Sequence, residues 1–289
     1  MSVCSDMPSL NTAGNFVNGT FTSFCNLSLC HPLFTVKTFV MSGRSLPKYS
    51  QLYAGYGANL TCDISNQAVA FCAYGVFQQK IMDNKKLSPS EQFLGGLFAG
   101  TVASPLLAGL ERVMIIQQLS SESRSTSHYK VLSSAQVIRS IWNTEGPAGF
   151  MRGLLPTILR ESTNSACFFG LSKIVRTPIS RVVPDEKIAN TFSYLVAGVT
   201  AGFLTSPFDL VKTLAQKDIT SRPKPLWMLL QHAVNENKGL VFQTVYKGAF
   251  SRVILIGSTM TGMGCFSERI PHHLPSIFHI EPVKERELR

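Results

Sequence analysis

Acids and bases stand inside long apolar stretches of this chain, often one turn apart. Asp209 and Lys212 follow the apolar run Phe192 to Leu204, directly after Ser206-Pro207. Arg160 and Glu161 close Pro156-Thr-Ile-Leu-Arg-Glu161, inside another such run. A charge in hydrocarbon is costly unless it meets water or a partner, so such residues mark function by default. An Arg fork binds a carboxylate or phosphate, and neighbouring acids accept an ammonium group. Arg160, Glu161 and Asp63 together suit a zwitterion or a cation. This is the chemistry of recognition and of ion-pair gating, not of bond making. No Walker loop, Gly-x-Ser-x-Gly, metal-spaced His set or dinucleotide fingerprint occurs, so neither an enzyme nor a metal or other cofactor is expected. His272-His273 reads as an interfacial pair.

Long apolar elements must position these charges. Six segments fit, at about 13–40, 53–78, 92–118, 154–177, 189–216 and 249–270. Each approaches the ~20 residues that cross ~30 Å of hydrocarbon. Polar segments from Gln79 to Glu91 and from Arg176 to Lys187 divide them. Short amphipathic patterns at Val131 to Asn143 and Pro225 to Asn235 suit surface helices. Only 15% of residues are charged, against ~25% in soluble domains. The net charge of +10 admits nucleic acid or anionic lipid; without aromatic-basic interleaving, the membrane is the better partner. Gly198-x-x-x-Gly202 and Gly96-x-x-x-Gly100 let helices pack closely, and Pro207 and Pro32 mark kinks. Seven cysteines without Cys-x-x-Cys spacing read as buried small side chains. Neither a cleavable signal peptide nor an Arg-rich transit sequence is visible at the start.

The pattern repeats. Pro207, Asp209, Lys212 and Gln216 are followed by Tyr246-Lys247-Gly248. Gly109, Glu111, Met114 and Gln118 are followed by Glu145-Gly146-x-x-Gly149-x-x-Arg152-Gly153. Pro32, Phe34, Lys37 and Met41 are followed, roughly 20 residues sooner, by Tyr53-Ala54-Gly55. These three copies resemble the signature of the mitochondrial carrier family, Pro-x-(Asp/Glu)-x-x-(Lys/Arg) with Gln beyond. The resemblance runs from about Gly14 to Ile270 and implies an all-α membrane fold. Six transmembrane helices would form three pseudo-threefold repeats, at 1–85 (its surface helix reduced), 86–182 and 183–271. A charged, disordered tail at 272–289 would follow.

By the same resemblance, Glu111 pairs with Lys212 and Asp209 with Lys37 in a matrix-side gate, while Phe34 and Met114 replace a third pair. Losing both partners together strands no charge. Gln118 and Gln216 resemble the braces beneath such pairs; Met41 breaks that pattern. A second network, on the even helices at the cytoplasmic side, is poorly kept. Its positions read Gly75 and Gln78, then Lys173 and Arg176, then Ser267 or Glu268 with Ile270. A weak cytoplasmic gate is expected.

Substrate positions in the family correspond here to Cys62 and Asp63, to Arg160 and Glu161, and to Leu255, with Arg252 one turn before it. Arg160-Glu161, Glu111-Arg112 and Tyr74-Gly75-x-x-Gln78-Gln79 resemble amino-acid and carnitine carriers. Asn66-Gln67-Ala68-Val69-Ala70-Phe71 and Lys247-Gly248-Ala249-Phe250-Ser251 resemble adenine nucleotide carriers. Cys62 and Leu255, however, stand where those carriers place arginine. The expected activity is alternating-access exchange of a small charged metabolite across the mitochondrial inner membrane. A zwitterion is slightly favoured over ATP or ADP, and over a borrowed fold that transports nothing. The implied partners are that substrate and membrane lipid, cardiolipin included, with the chain a monomer and no nucleic acid bound. The carboxyl end, Glu281-Pro-Val-Lys-Glu285-Arg-Glu287-Leu-Arg289, resembles the secretion signals of effectors that intracellular bacteria deliver, here to a host mitochondrion.

Overall fold

The computed structural model describes residues 12–41, 49, 52–53, 56–82, 87–122, 133–216, 225, 227–228, 231, 235, 246 and 249–278. The side chains at 12, 36–41, 58, 115, 117–122, 213–214, 251 and 269–278 lie outside that description. Among the described residues every regular element is helical. Helix α1 spans Thr12–Met41, and α2 spans Tyr56–Val76 with a π-turn at Phe77–Ile81. Helix α3 spans Pro89–Glu122, and α4 is a short helix at Ser134–Glu145. Helix α5, Leu154–Ala166, continues through a π-turn, Cys167–Leu171, into α6, Ser172–Val182. Helix α7 spans Glu186–Gln216 and α8 spans Ala249–Phe278. The long helices α1, α3 and α7 run on through Pro32, Pro105 and Pro207.

The ends correct the sequence reading. Helix α6 reaches Val182 and α7 begins at Glu186, so most of the polar stretch from Arg176 to Lys187 is helical. Charged ends lengthen these helices beyond their apolar spans. Helix α8 passes Pro271 and continues to Phe278, so the start of the expected disordered tail is helix. A proline removes one ladder hydrogen bond but need not end the helix. Residues 279–289 lie outside the described residues, as do most of the third surface pattern and Lys247-Gly248.

The chain divides into two compact units. The first comprises Met1–Ala103, Glu161–Leu204 and Gly248–Arg289. Its core gathers Phe71, Cys167, Phe168, Phe169, Tyr194, Met260 and Met263 around small Ala73, Ala99 and Ala201. Tyr74 stacks on Phe169 with ring centroids 4.0 Å apart. Small residues let the backbones meet: a Cβ on Gly96 would lie 2.5 Å from the Ser165 carbonyl, and one on Gly100 would collide with that of Glu161. A Cβ on Gly198 would stand 2.8 Å from the Gly257 Cα, and one on Gly202 would stand 3.0 Å from that of Val253. Helix α1 packs on α2 and α8 while turning Phe16, Phe21, Phe24 and Leu29 outward; α7 exposes Ile188, Phe192, Val199 and Phe203. Rows of exposed large apolar side chains suit lipid, not water. Pro89–Met114 and Glu186–Lys212 are long and apolar enough to cross a membrane, with mean hydropathies of 1.6 and 1.3.

The second unit comprises Ser104–Arg160 and Thr205–Lys247. A reciprocal capping box between Ser133 and Gln136 starts α4, satisfying two orphan backbone donors. Gly146, at φ 68°, ends it. Val137 and Ile141 are fully buried against Ile116, Val113 and Phe150. Ile138 and Trp142, next to them in sequence, are 45% and 59% exposed.

Candidate functional site

Glu111 on α3 and Lys212 on α7 meet in the second unit: the Lys212 ammonium donates to Glu111 Oε2. Arg160 on α5 joins them. Its Nη2 donates to Glu111 Oε1 at 2.9 Å and its Nη1 to Asp209 Oδ1 at 3.0 Å. Asp209 and Lys212 share a face because they lie three residues apart on α7. Among the described residues, two acids and two bases thus form one group across three helices. Charges so nearly buried are held by their mutual pairing, and removing one partner would strand the rest. Gln216 lies beneath, fully buried, and donates to the Ala108 carbonyl at 3.5 Å and the Arg152 carbonyl at 3.3 Å. Its methylene lies 3.1 Å from where Gly153 would carry a Cβ, and Gly153 has φ 78°.

Of the other members expected of the gate, Phe34 and Met114 are among the described side chains and the rest lie outside the description. Phe34 stacks on His31, centroids 6.1 Å apart; His31 also packs against Tyr53 and Tyr56. Met114 is half-buried on α3. The side chains of Lys37, Met41 and Gln118 lie outside the described residues, so the expected pairing of Asp209 with Lys37 falls there too.

Sequence reasoning missed a second charged cluster in this unit. Arg112, fully buried, donates Nη2 to Glu145 Oε1 at 2.7 Å and Nη1 to the carbonyl of Gly149. Arg152 approaches the same Glu145 oxygen at 3.2 Å. The cluster ties α3 to the end of α4. The signal was present, since Glu145-Gly146 and Arg152-Gly153 recur in the repeat, but nothing in the spacing named Arg112 as their partner.

In the first unit, Asp63 on α2 accepts a hydrogen bond of 2.5 Å from Ser23 on α1. Glu161 on α5 accepts one of 3.2 Å from Asn66, and the two carboxylates lie within electrostatic reach of each other. Cys62, Leu255 and Arg252 are all buried. Toward the other ends of these helices, Glu268 on α8 is paired with Lys173 on α6 at 3.2 Å. It also accepts from Tyr194 at 3.0 Å and from Asn190 at 2.8 Å, both on α7. Arg176 pairs with Glu186 at 2.6 Å. Ser267 is fully buried and donates to its own helix at the Gly264 carbonyl, so Glu268 supplies the acid here. Gly75 sits directly beneath Asn15 of α1, Gln78 is half-buried, and the Ile270 side chain lies outside the described residues. Among the described residues no cluster of His, Cys, Asp and Glu could hold a metal.

A family model described as mitochondrial carrier protein matches residues 85–181. The chain is 28% identical to mitochondrial citrate transporter C of Aspergillus niger, over 71% of this chain and 73% of that protein. It is 25% identical to mitochondrial glycine transporter A of Danio rerio, over 72% and 78%. To the mitochondrial aspartate-glutamate transporter of Saccharomyces cerevisiae it is 24% identical, over 91% of this chain but 32% of that longer protein. With charged clusters set among helices that turn apolar rows outward, and with relatives named as mitochondrial transporters of small metabolites, the chain is similar to the mitochondrial carrier proteins, whose members are transporters and not enzymes.

Proposed function

We propose that the chain exchanges a small zwitterion, an amino acid or a carnitine-like molecule, across the mitochondrial inner membrane by alternating access. The observation that carries this reading is the four-charge group of Glu111, Lys212, Arg160 and Asp209, which joins three helices by contacts that can be broken and re-formed. A protein relieved of gating has no need of matched charges there. Asp63 and Glu161 favour the zwitterion: two neighbouring carboxylates, held by Ser23 and Asn66, suit an ammonium group and oppose a polyanion. Cys62 and Leu255 add no positive charge for a nucleotide's phosphates. The relatives named for glycine and for aspartate and glutamate carry such cargo.

The proposed organisation is three repeats, 1–85, 86–182 and 183–271. The link from Met41 to Tyr56 is shorter than the one from Glu122 to Leu154 that carries α4, which supports a reduced surface segment in the first, and the family match over 85–181 supports the second. The outward rows of Phe and Leu would face lipid around a monomer.

Proteoliposomes loaded in turn with ornithine, carnitine, glycine, aspartate, citrate and ATP test the cargo, each supplied outside as label. Exchange of the amine-bearing carboxylates supports the reading. ATP exchange alone would replace the zwitterion with a nucleotide, and silence with all six would remove the transport assignment to these cargoes.

A further inference from the structure

We infer that Asn66 and Asn164 select the amine of the cargo: their amide oxygens take N–H donors from an ammonium group held at Asp63 and Glu161, so the chain carries primary amino acids and rejects a trimethylated zwitterion such as carnitine. The inference rests on the zwitterion reading above and deepens it. All four residues belong to the first unit. Asn66 lies three residues after Asp63 on α2, and Asn164 three after Glu161 on α5, so on each helix the amide neighbours the acid. Asn66 is 6% exposed and donates Nδ2 to Glu161 Oε2 at 3.2 Å. An ionised carboxylate only accepts, so Glu161 fixes which way this amide turns and leaves Oδ1 as its acceptor. Among the described residues no donor reaches the buried Oδ1 of Asn66 or that of Asn164.

A buried acceptor left without a donor is costly. A primary ammonium brings three N–H donors, enough for a carboxylate and both amide oxygens. A trimethylammonium brings none and would leave both oxygens unmet. The receptor suited to it is a cage of aromatic faces, whereas carboxylates and amides gather here. A site built to bond an N–H rejects the analogue that lacks it far more strongly than an apolar pocket rejects one methyl group.

Methylating the nitrogen tests this. Proteoliposomes loaded with ornithine, glycine and carnitine together are offered labelled ornithine, carnitine, glycine, sarcosine, dimethylglycine and betaine in turn. In wild type each methyl should lower kcat/KM, with betaine about a hundredfold below glycine and carnitine as far below ornithine. Asn66→Leu and Asn164→Leu keep the bulk of the side chain and remove the oxygen, the second without touching the bond from Asn66 to Glu161. Each should lower uptake of the primary amines by about tenfold, the worth of one hydrogen bond to a charged group, and leave the trimethylated solutes where they were. A mere packing defect would lower both kinds alike. The wild-type series decides even where a variant does not fold. Betaine or carnitine taken up within about tenfold of its primary amine would overturn the inference and leave the zwitterion reading standing. An unchanged ratio of primary to trimethylated uptake in both variants would also overturn it. Wild-type silence with every one of these solutes would remove both readings.

Discussion

The Tyr194 hydroxyl donates to Glu268 Oε1, the same oxygen that faces Lys173, across 74 residues of chain. Asn190 occupies the other oxygen. One acid thus gathers an ammonium, a phenol and an amide from α6 and α7. Glu268→Gln keeps a hydrogen-bonding side chain but strands the Lys173 charge, and should cost about 1–3 kcal/mol given the partial exposure of the pair. Adding Lys173→Met should recover much of that loss. Thermal unfolding of the purified variants reads both numbers, and additive losses would show that the two residues are not coupled.

Glu145→Gln should be among the most damaging single changes, at about 3–5 kcal/mol, because it leaves the fully buried Arg112 without its carboxylate. Arg112→Met should cost less, since Arg152 still faces Glu145. The order of unfolding temperatures in the two variants checks this; the reverse order would count against a cluster organised around Arg112.

A charge swap, Glu111→Lys with Lys212→Glu, would rescue an isolated pair. Here it should fail, because a lysine at 111 faces the guanidinium of Arg160. Exchange activity should remain low in the double variant. Near-normal exchange would mean that Arg160 is not part of the group when the protein turns over.

Gly100→Ala should destabilise by about 1–3 kcal/mol, as the new methyl meets the backbone of Glu161 and must push α3 and α5 apart. Gly57→Ala, where a Cβ meets nothing within 4 Å, should be neutral or slightly stabilising in the helix. Melting curves of the two single variants make the comparison.

Much of this arrangement was legible in the sequence because it depends on periodicity. Six apolar runs of sufficient length give the long helices, and the recurring signature places Glu111 and Lys212 where the structure brings them together. Side-chain reach obeys no such period. The family resemblance puts Arg160 among the expected cargo positions, yet its flexible stem carries the guanidinium to two acids on other helices. Nor does spacing decide between neighbours: Ser267 and Glu268 differ by one position, and only the packing that buries Ser267 turns Glu268 toward Lys173. The end of α8 was misread because Pro271 is a weak stop inside a helix with enough remaining ladder to continue.

Helix α4 has a consequence of another kind. It buries Val137 and Ile141 on one side and shows Ile138 and Trp142 on another, so it is greasy on two faces and polar only in between. In water such a rod would be sticky; sunk into acyl chains, its charged remainder would be stranded. It has one comfortable level, where Trp142 can rest among lipid headgroups. A helix so built would float at a membrane interface, and the depth it kept there would set the level of the Arg112 and Glu145 charges attached to it.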